Sequence, residues 1–164
     1  MTGKSALAWA ALAGLAAPVA AAAQDAPAVL RDTAWHNAQR AALAGLDPAT
    51  GWRVLPGGVA LRRTGGDGSG PRPTATDRVT VHYKGSLMDG AVFDSSLERG
   101  EPATFPLGRL IRGWQLAIPE MGVGDTYDIA IPADLAYGPL GKGPIPGNAT
   151  LLFTIQLLGI NPPE

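Results

Sequence analysis

The sequence has 164 residues, which leaves room for one ordinary domain and some additional sequence, because a chain that folds alone commonly needs roughly 100 to 150 residues. Its 13 lysine and arginine residues nearly balance its 14 aspartate and glutamate residues, for a formal net charge of −1, so no basic face is expected to bind nucleic acid. Cysteine is absent, which excludes disulfides, thiolate nucleophiles, cysteine metal sites and a lipoprotein anchor on an N-terminal cysteine.

Residues 1–23 have the organisation of a signal peptide. Lys4 supplies a positive charge, and an uncharged run rich in alanine and leucine extends from residue 5 to residue 23. Ala21 and Ala23 stand at the −3 and −1 positions of an A-x-A site, so we expect cleavage after Ala23, export, and no stable membrane anchor. The alternative is an uncleaved segment that anchors the protein, since the run approaches the ~20 residues that span a bilayer. Its many alanines make it weakly hydrophobic and favour cleavage.

Residues 24–56 predict a helical leader followed by a linker. Apolar residues recur there at roughly helical spacing: Val29, Leu30, Ala34, Ala38, Ala41 and Leu43. The helix is expected to end near Gly45, and Asp47-Pro48 and Gly51 mark the linker. Two interpretations are open, an arm for dimerisation or client contact and a solvated leader helix. The second is favoured because a helix this short pairs poorly by itself.

From Gly57 onward the pattern becomes that of β-strands, and we expect a folded domain over residues 57–164. Val59 and Leu61 alternate with polar residues, and a loop rich in glycine, serine and proline follows at residues 64–76. Beyond the loop, the alternating apolar positions of another strand are Val79, Val81 and Tyr83. The turn residues Asp89-Gly90 then precede the short apolar segment Ala91-Val92-Phe93.

The second half of this domain contains one convincing helix and two further strands. The helix covers residues 111–118 and is short because Pro119, which has no backbone N–H, terminates it. The strands cover residues 126–131 and 151–158, and the second is almost entirely apolar. Many strands with one short helix predict an α+β fold, in which an antiparallel sheet of about five strands wraps around that helix, preceded by the short N-terminal helix.

The sequence contains no ordinary catalytic set. His36 and His82 are the only histidines and are far apart, so we predict no metal site, and no cofactor is expected. No serine lies in a G-x-S-x-G elbow, and the scattered carboxylates do not assign an acid and a base. The distinctive feature is a set of aromatic residues among glycines: Tyr83, Phe93, Phe105, Trp114, Tyr137 and Phe153.

These aromatic residues belong to a longer, ordered series of short motifs. The main ones are Val81-His82-Tyr83-Lys84-Gly85, Phe93-Asp94-Ser95-Ser96, Arg99-Gly100, Ile111-Arg112-Gly113-Trp114, Ala136-Tyr137-Gly138, Ile145-Pro146 and Leu151-Leu152-Phe153. Each motif is weak by itself, but the unbroken order over about residues 57–160 is specific. The series resembles that of the FKBP-type peptidyl-prolyl cis-trans isomerases, the immunophilins.

Two segments, Leu55–Gly58 and Arg99–Phe105, are similar to the exported bacterial members of that family with a helical leader, the macrophage infectivity potentiator type. This resemblance implies a place in the bacterial periplasm and a role in the folding of exported proteins, with a possible chaperone activity. The leader here is shorter than theirs usually is, so a monomer is favoured over a dimer.

The resemblance also implies one pocket that holds an X-Pro segment. Its lining would comprise Tyr83, Phe93, Asp94, Leu110, Ile111, Trp114, Tyr137, Ile145 and Phe153. Arg99 and Phe105 are counted with the substrate-binding residues. The indole of Trp114 would form the floor on which the proline ring sits, and Phe93 and Phe153 would form the walls.

The catalytic roles implied by the resemblance fall to four residues, without covalent or metal catalysis. The Tyr137 hydroxyl and the Ile111 backbone N–H would donate to substrate carbonyl groups, beside the floor made by Trp114. Asp94 would position or polarise the twisting peptide. We expect Arg99 to pair with this carboxylate, because an unpaired charge beside an apolar pocket is costly. The pair either holds its loop closed or sets the field that the substrate experiences.

The implied partners are X-Pro segments of unfolded or folding exported proteins, and macrolide inhibitors. The chain departs from the family at Ala103, where many relatives carry an aromatic residue, and at Lys142, near where relatives often hold a histidine. The loop at residues 107–110 is about two residues short. These departures leave substrate preference and inhibitor affinity open.

Overall fold

The computed structural model describes residues 31–162. The predicted signal peptide and its cleavage site lie outside these residues. Within the described range, no helix combines the length and the apolar character that crossing a membrane requires.

The leader forms a helix, as predicted. A π-helical turn at Arg31–Trp35 continues directly into helix α1, His36–Ala44. The helix ends at Gly45, whose N–H donates to the carbonyl oxygen of Ala41 (2.9 Å), so the predicted end is confirmed. A single 3₁₀ turn at Pro48–Thr50 follows and leads toward the sheet.

One face of α1 packs against the domain, so the interpretation of a solvated leader helix is wrong for that face. The side chain of Gln39 is buried and accepts a hydrogen bond from the Thr150 N–H (3.0 Å). The indole Nε1–H of Trp35 donates to the carbonyl oxygen of Gly147 (3.2 Å). These polar contacts join residues more than 100 positions apart, so the apolar periodicity of the helix could not predict them.

Seven antiparallel strands form one sheet in the described part of the chain. They are β1 Arg53–Val54, β2 Ala60–Gly65, β3 Arg78–Leu87, β4 Val92–Ser95, β5 Ala103–Pro106, β6 Thr126–Ile131 and β7 Leu151–Ile160. The order is β1-β2-β6-β7-β3-β4, and β5 also pairs with β3. The α+β class is confirmed. The sheet exceeds the expected five strands because β1 and β5 are too short to show an alternating pattern.

The long strands β3 and β7 form the centre of the sheet. Their buried side chains alternate along each strand: Val79, Val81, Tyr83 and Leu87 in β3, and Leu151, Phe153, Ile155 and Leu157 in β7. Gly85 lies opposite Phe153 in the register of this pair. The alternation brings the Tyr83 and Phe153 side chains to the same buried face, where the candidate site forms.

Two short helices complete the domain. Helix α2, Ser96–Arg99, was not predicted; its signal is Ser95, whose hydroxyl accepts a hydrogen bond from the Glu98 N–H (3.2 Å) and caps the helix. Helix α3, Arg112–Ala117, lies within the predicted segment and passes into a 3₁₀ turn at Ile118–Glu120, which contains the proline.

Helix α3 contacts the sheet closely through Gly113. A Cβ atom built on this glycine would lie 2.3 Å from Cγ2 of Ile131, in β6, and 2.6 Å from its Cδ1. Real Cβ atoms do not approach other atoms this closely, so a larger residue would push the helix away from the sheet. The glycine therefore sets the depth at which Trp114, the next residue, is buried.

Gly113→Ala is expected to lower the free energy of unfolding by about 1–3 kcal/mol, because overpacking forces shifts in a close-packed core. Denaturant titration measures the change. Ile131→Ala removes all three contacted side-chain atoms, so in that background the same substitution should cost almost nothing. An equal cost in both backgrounds would show that the clash is not the cause.

Candidate active site

A cavity of about 230 Å³ lies between the central strands and the start of α3. The residues that line it are Tyr83, Phe93, Asp94, Phe105, Leu110, Ile111, Trp114, Tyr137 and Phe153. They come from β3, β4, β5 and β7, from the turn into α3 and from α3 itself, and from the loop before β7. One water takes roughly 30 Å³ of liquid, so a cavity of this size admits a small ring rather than solvent alone.

Aromatic rings form the floor and one wall of the cavity. The indole of Trp114 is buried, and its ring centre lies 5.3 Å from that of Tyr83 and 5.2 Å from that of Phe153, both edge to face. The rings of Phe93 and Phe153 are also edge to face, at 5.7 Å. Such pairs add to the stabilisation that burial gives, so the rings form a rigid, apolar surface.

Gly85 leaves room for the walls. A Cβ atom on this residue would lie 2.6 Å from Cε2 of Phe93 and 2.7 Å from Cε1 of Phe153. Only glycine therefore allows both rings to stand over β3 in this arrangement. The sequence placed Gly85 in a family motif, but this role was missed because it depends on two side chains from other strands.

Two N–H groups near the start of α3 have no hydrogen-bond acceptor among residues 31–162. The indole Nε1–H of Trp114 is buried without one. The backbone N–H of Ile111, just before the helix, also has none. The Gln115 side-chain amide donates to the carbonyl oxygen of Leu110 (2.7 Å), which fixes the turn. Because an unpaired buried donor costs about 1–3 kcal/mol, a ligand carbonyl that accepts from the cavity wall gains affinity.

A polar cluster forms one rim of the cavity. Asp94 accepts hydrogen bonds from the Tyr83 hydroxyl (2.5 Å) and from the guanidinium group of Arg99. Nη2 of Arg99 also donates to the hydroxyl oxygen of Tyr83 (3.0 Å), and its Cζ lies 5.6 Å from the centre of that ring. The predicted pairing of Asp94 with Arg99 is confirmed. Tyr83 joins the pair as a third member, so both carboxylate oxygens are held in place.

This cluster shifts the ionisation of three groups. Partial burial acts to raise the pKa of Asp94, but hydrogen bonds from Tyr83 and Arg99 outweigh it, and the net pKa is lowered. Burial, together with the hydrogen bond to Asp94, raises the pKa of Tyr83. Burial and the negative charge of Asp94 raise the pKa of Tyr137. At neutral pH the carboxylate is therefore ionised, and the Tyr137 hydroxyl keeps the proton that it needs to donate.

Acid is expected to remove the stabilisation that ionised Asp94 provides. Because folding lowers its pKa, this contribution is present above the unfolded value of about 3.9 and is lost as pH falls below it. The unfolding free energies of wild type and Asp94→Asn should therefore converge between pH 7 and pH 3, by at most about 1 kcal/mol, because the ion pair is half exposed. Denaturant titrations measure this, with the exposed Glu101→Gln as control. A gap independent of pH would contradict it.

Most of the predicted site residues lie around the cavity, but two do not. Arg99 lies behind Asp94 and reaches the site through it. Ile145 was expected in the lining and is instead buried in the loop before β7, where it packs with the core. The reason is a tight reversal, in which the backbone N–H groups of Lys142 and Ile145 each donate to the other's carbonyl oxygen (2.9 Å).

Ser96 was not predicted as a site residue, although it fixes the backbone of Tyr83. Its hydroxyl accepts from the Tyr83 N–H (2.7 Å) and donates to the carbonyl oxygen of the same residue (3.2 Å). These bonds replace those of a neighbouring strand on this side of β3, because β5 pairs with residues 78–81 and β4 pairs with residues 84–86. A second serine directly after the helix cap is the signal that could have identified it.

Metal ligands are not grouped in the described part of the chain. No three histidine, cysteine, aspartate or glutamate side chains there could hold an ion together. His82 Nδ1 lies 3.1 Å from the Ser96 hydroxyl, and His36 lies on the leader helix. The chemistry available at the cavity comes from apolar rings, N–H and O–H donors, and one ionised carboxylate.

Residues 70–158 match the family model described as FKBP-type peptidyl-prolyl cis-trans isomerase, which covers just over half of the chain. The chain belongs to this family. The family assignment made from the ordered motifs is thus confirmed. All of the residues that line the cavity fall within the matched range of this FKBP-type domain.

Relatives in the FKBP-type family include two bacterial proteins. The chain is 52% identical over 96 residues to the FKBP-type peptidyl-prolyl cis-trans isomerase FkpA of Aeromonas hydrophila, which covers 58% of this chain and 36% of that protein. It is 48% identical over 94 residues to the peptidyl-prolyl cis-trans isomerase Mip of Coxiella burnetii, which covers 57% of this chain and 41% of that protein. The chain therefore spans less than half the length of these relatives. The similarity to both proteins confirms the predicted resemblance to the macrophage infectivity potentiator type.

A solved structure extends the likeness to the fold of nearly the whole described chain. The crystal structure of the peptidyl-prolyl cis-trans isomerase of Pseudomonas syringae superposes with a TM-score of 0.74 at 35% sequence identity. The superposition covers 84% of this chain and 98% of that chain. The FKBP-like fold that the sequence predicted is therefore confirmed.

Proposed function

We propose that this chain is a peptidyl-prolyl cis-trans isomerase that accelerates X-Pro isomerisation while exported proteins fold. The observation that carries the proposal is the cavity itself, which has the indole of Trp114 as its floor and the rings of Phe93 and Phe153 as its wall. Its apolar surface and its volume suit a pyrrolidine ring. Membership of the FKBP-type family supports the same activity.

Isomerisation makes an unusual demand on a catalyst. Rotation about an X-Pro bond crosses ~18–20 kcal/mol, because the twisted state loses C–N double-bond character, while the two planar forms differ by only ~0.5–1 kcal/mol. A site that binds the twisted form more tightly lowers this barrier. Apolar walls do so, since the planar amide has the larger charge separation and loses more on leaving water. Each ~1.4 kcal/mol of preference gives a tenfold rate increase.

The proposed roles follow from the positions of the donors. The proline ring sits on Trp114, the Ile111 N–H donates to one carbonyl oxygen of the substrate, and the Tyr137 hydroxyl donates to another. The raised pKa of Tyr137 supports this role, because the hydroxyl stays protonated. Asp94 positions or polarises the twisting peptide. Its two hydrogen-bond partners support that role, since they hold an ionised carboxylate at the rim.

The proposed organisation is a signal peptide at residues 1–23, a leader and linker at 24–56, and the isomerase domain at 57–164. The sheet already includes β1 at Arg53–Val54, a few residues before that boundary. We place the mature protein in the bacterial periplasm as a monomer. N-terminal sequencing after expression in a bacterium should begin at Gln24, and sedimentation should give one chain per particle. Recovery of the uncleaved chain in the membrane fraction would favour the anchored alternative.

A protease-free isomerisation assay on X-Pro peptides tests the proposed activity. We expect the purified protein to accelerate isomerisation, and a macrolide that fills the cavity to abolish the acceleration. Gln156→Ala, on the exposed face of β7, serves as the control and should keep the wild-type rate. A rate equal to the uncatalysed background would overturn the proposal.

A second candidate function is a holdase chaperone that binds unfolded chains without useful turnover. Two exposed leucines support it: Leu97 in α2 and Leu140, three residues after Tyr137. Exposed apolar side chains can contact the apolar residues of unfolded chains. Suppression of aggregation that persists in Asp94→Ala and Phe153→Ala, with negligible isomerisation by wild type, would favour this function over the enzymatic one.

A further inference from the structure

We infer that the leader, meaning the π-helical turn Arg31–Trp35 together with helix α1, positions the flap and thereby acts on a cavity that it does not line. The flap is defined here as residues 136–150, between the 3₁₀ turn at Ala133–Leu135 and β7. The flap carries Tyr137, whereas no residue of α1 belongs to the cavity lining. Trp35 and Gln39 are thus positioning residues. The catalytic consequence rests on the proposed isomerase function, but the contact itself does not.

Three hydrogen bonds connect the leader to the end of the flap, and the longest runs from the Thr150 hydroxyl to the backbone carbonyl oxygen of Gln39 (3.5 Å). The Trp35 indole N–H donates to the Gly147 carbonyl oxygen (3.2 Å), and Gln39 Oε1 accepts from the Thr150 N–H (3.0 Å). They lie on either side of Asn148, whose φ is +60°. The residues Gln39 and Thr150 are 5% and 2% exposed, so water does not easily replace the hydrogen bonds between them.

The flap transmits a displacement at its end to its beginning. A Cβ atom on Gly147 would lie 1.9 Å from the carbonyl oxygen of Pro139, so the two ends of the flap touch along their backbones. The Asn148 N–H also donates to the carbonyl oxygen of Gly138 (2.9 Å). Gly138 and Pro139 directly follow Tyr137. A shift of the segment that Trp35 holds therefore moves the residue that lines the cavity.

Among residues 31–162, Trp35 is the one leader side chain that packs against the hydrophobic core. A groove of about 520 Å³ lies between the helix and the domain, lined by His36, Arg40 and Leu43 of the helix, by Pro132–Leu135 of the domain, and by the hydrogen-bonded pair Gln39 and Thr150. Close packing across this gap is therefore limited. The hydrogen bonds of Trp35 and Gln39, with the partly buried Trp35 ring, carry a large share of the docking. A segment held in this way belongs to the less stable part of a fold, so loss of single bonds changes its opening equilibrium.

Opening of the flap lowers the fraction of molecules in which Tyr137 is in place to bind substrate. Apparent affinity falls in proportion to the competent fraction, because substrate binding must first restore the closed flap. Loss of the leader contacts should therefore raise KM for an X-Pro peptide and leave kcat nearly unchanged. A purely structural role of α1 would instead reduce the amount of folded protein and lower kcat and kcat/KM alike.

The test uses the full chain with the double variant Trp35→Phe and Gln39→Met, which removes the side-chain donor and acceptor while keeping an aromatic ring at the first position and a side chain of similar length at the second. Asn37→Ala, at an exposed position of the same helix, is the matched control. Hydrogen exchange is measured at the amides of Lys142, Ile145 and Asn148, with β6 amides as the internal reference. We expect exchange in the flap to become about tenfold faster in the double variant, from two lost bonds, with β6 unchanged. We also expect KM to rise roughly threefold, which is the change that a tenfold larger opening constant gives when the wild-type flap is open in about a fifth of molecules.

Three results would overturn the inference: flap exchange equal to that of wild type, faster exchange of β6 and the flap alike, and faster flap exchange with an unchanged KM. The exchange measurement needs no substrate. If wild type fails to isomerise any X-Pro peptide, the proposed function fails, and the exchange rates still decide whether the leader holds the flap.

Discussion

Trp114→Ala is expected to reduce kcat/KM for an X-Pro peptide by roughly thirtyfold or more, the largest effect of any single substitution at the cavity. The substitution removes the floor on which the proline ring is proposed to sit, and a loss of about 2 kcal/mol in transition-state stabilisation corresponds to that factor. It also deletes a buried indole in contact with other rings, so the free energy of unfolding should fall by about 3–5 kcal/mol. The protease-free assay measures the activity, and circular dichroism at the same temperature reports whether the variant is folded.

Trp114→Phe is the matched variant that distinguishes loss of the cavity floor from loss of folded protein. It keeps an aromatic ring and removes an N–H group that has no acceptor in the described part of the chain, so no hydrogen bond is lost. We expect it to fold and to keep kcat/KM within about tenfold of wild type, since most of the apolar floor is retained. Wild-type kcat/KM in a folded Trp114→Ala protein would remove the indole from the mechanism.

Gly85→Ala is expected to reduce kcat/KM by at least about tenfold, although only one methyl group is added. The new Cβ atom would occupy the space beside the rings of Phe93 and Phe153, and both must tilt to avoid it. The walls of the cavity then no longer match a pyrrolidine ring, and a misplacement of about 1 Å near a reacting group costs a large factor in rate. Overpacking should also cost about 1–3 kcal/mol of unfolding free energy.

Gly159→Ala provides the matched control for this substitution. Gly159 also lies in a central strand, β7, but no atom lies within 4 Å of a Cβ built there. We expect the control to keep wild-type kcat/KM and macrolide affinity, whereas Gly85→Ala loses both. Equal behaviour of the two variants would mean that the rings accommodate the methyl group without narrowing the cavity.

The fold class was predictable because the long strands have one buried face and the helix is bounded by glycine and proline. In β3, the alternation of Val79, Val81 and Tyr83 with polar residues is a local property of the sequence. The strands β1 and β5 were not predictable in the same way. They exist because the neighbouring strands offer unpaired backbone groups, at Ala60 and Val81 for example, and not because of their own residues.

The residues around the cavity were predictable from an ordered series of motifs, since the aromatic and donor residues keep their order along the chain. The differences concern backbone hydrogen bonds, one set within a short loop and one between distant segments. Ile145 turned inward because of a local reversal with Lys142, and the leader docked through Gln39, a polar residue on an otherwise unremarkable helix. Neither arrangement follows from apolar periodicity, because each depends on which backbone group lies opposite in space.

The way in which β3 is paired affects how the protein behaves at high concentration. On one side of β3 the partner is interrupted: β5 covers Arg78–Val81, β4 covers Lys84–Ser86, and α2 fills the interval. At the opposite border of the sheet, β1 has only two residues. Within the strands of residues 31–162, neither border offers a long, uninterrupted ladder to which a foreign strand could add, and short or interrupted edges protect β-proteins against edge-to-edge aggregation. The proposed isomerase would gain from such borders, because it could bind unfolded chains without becoming a template for their aggregation.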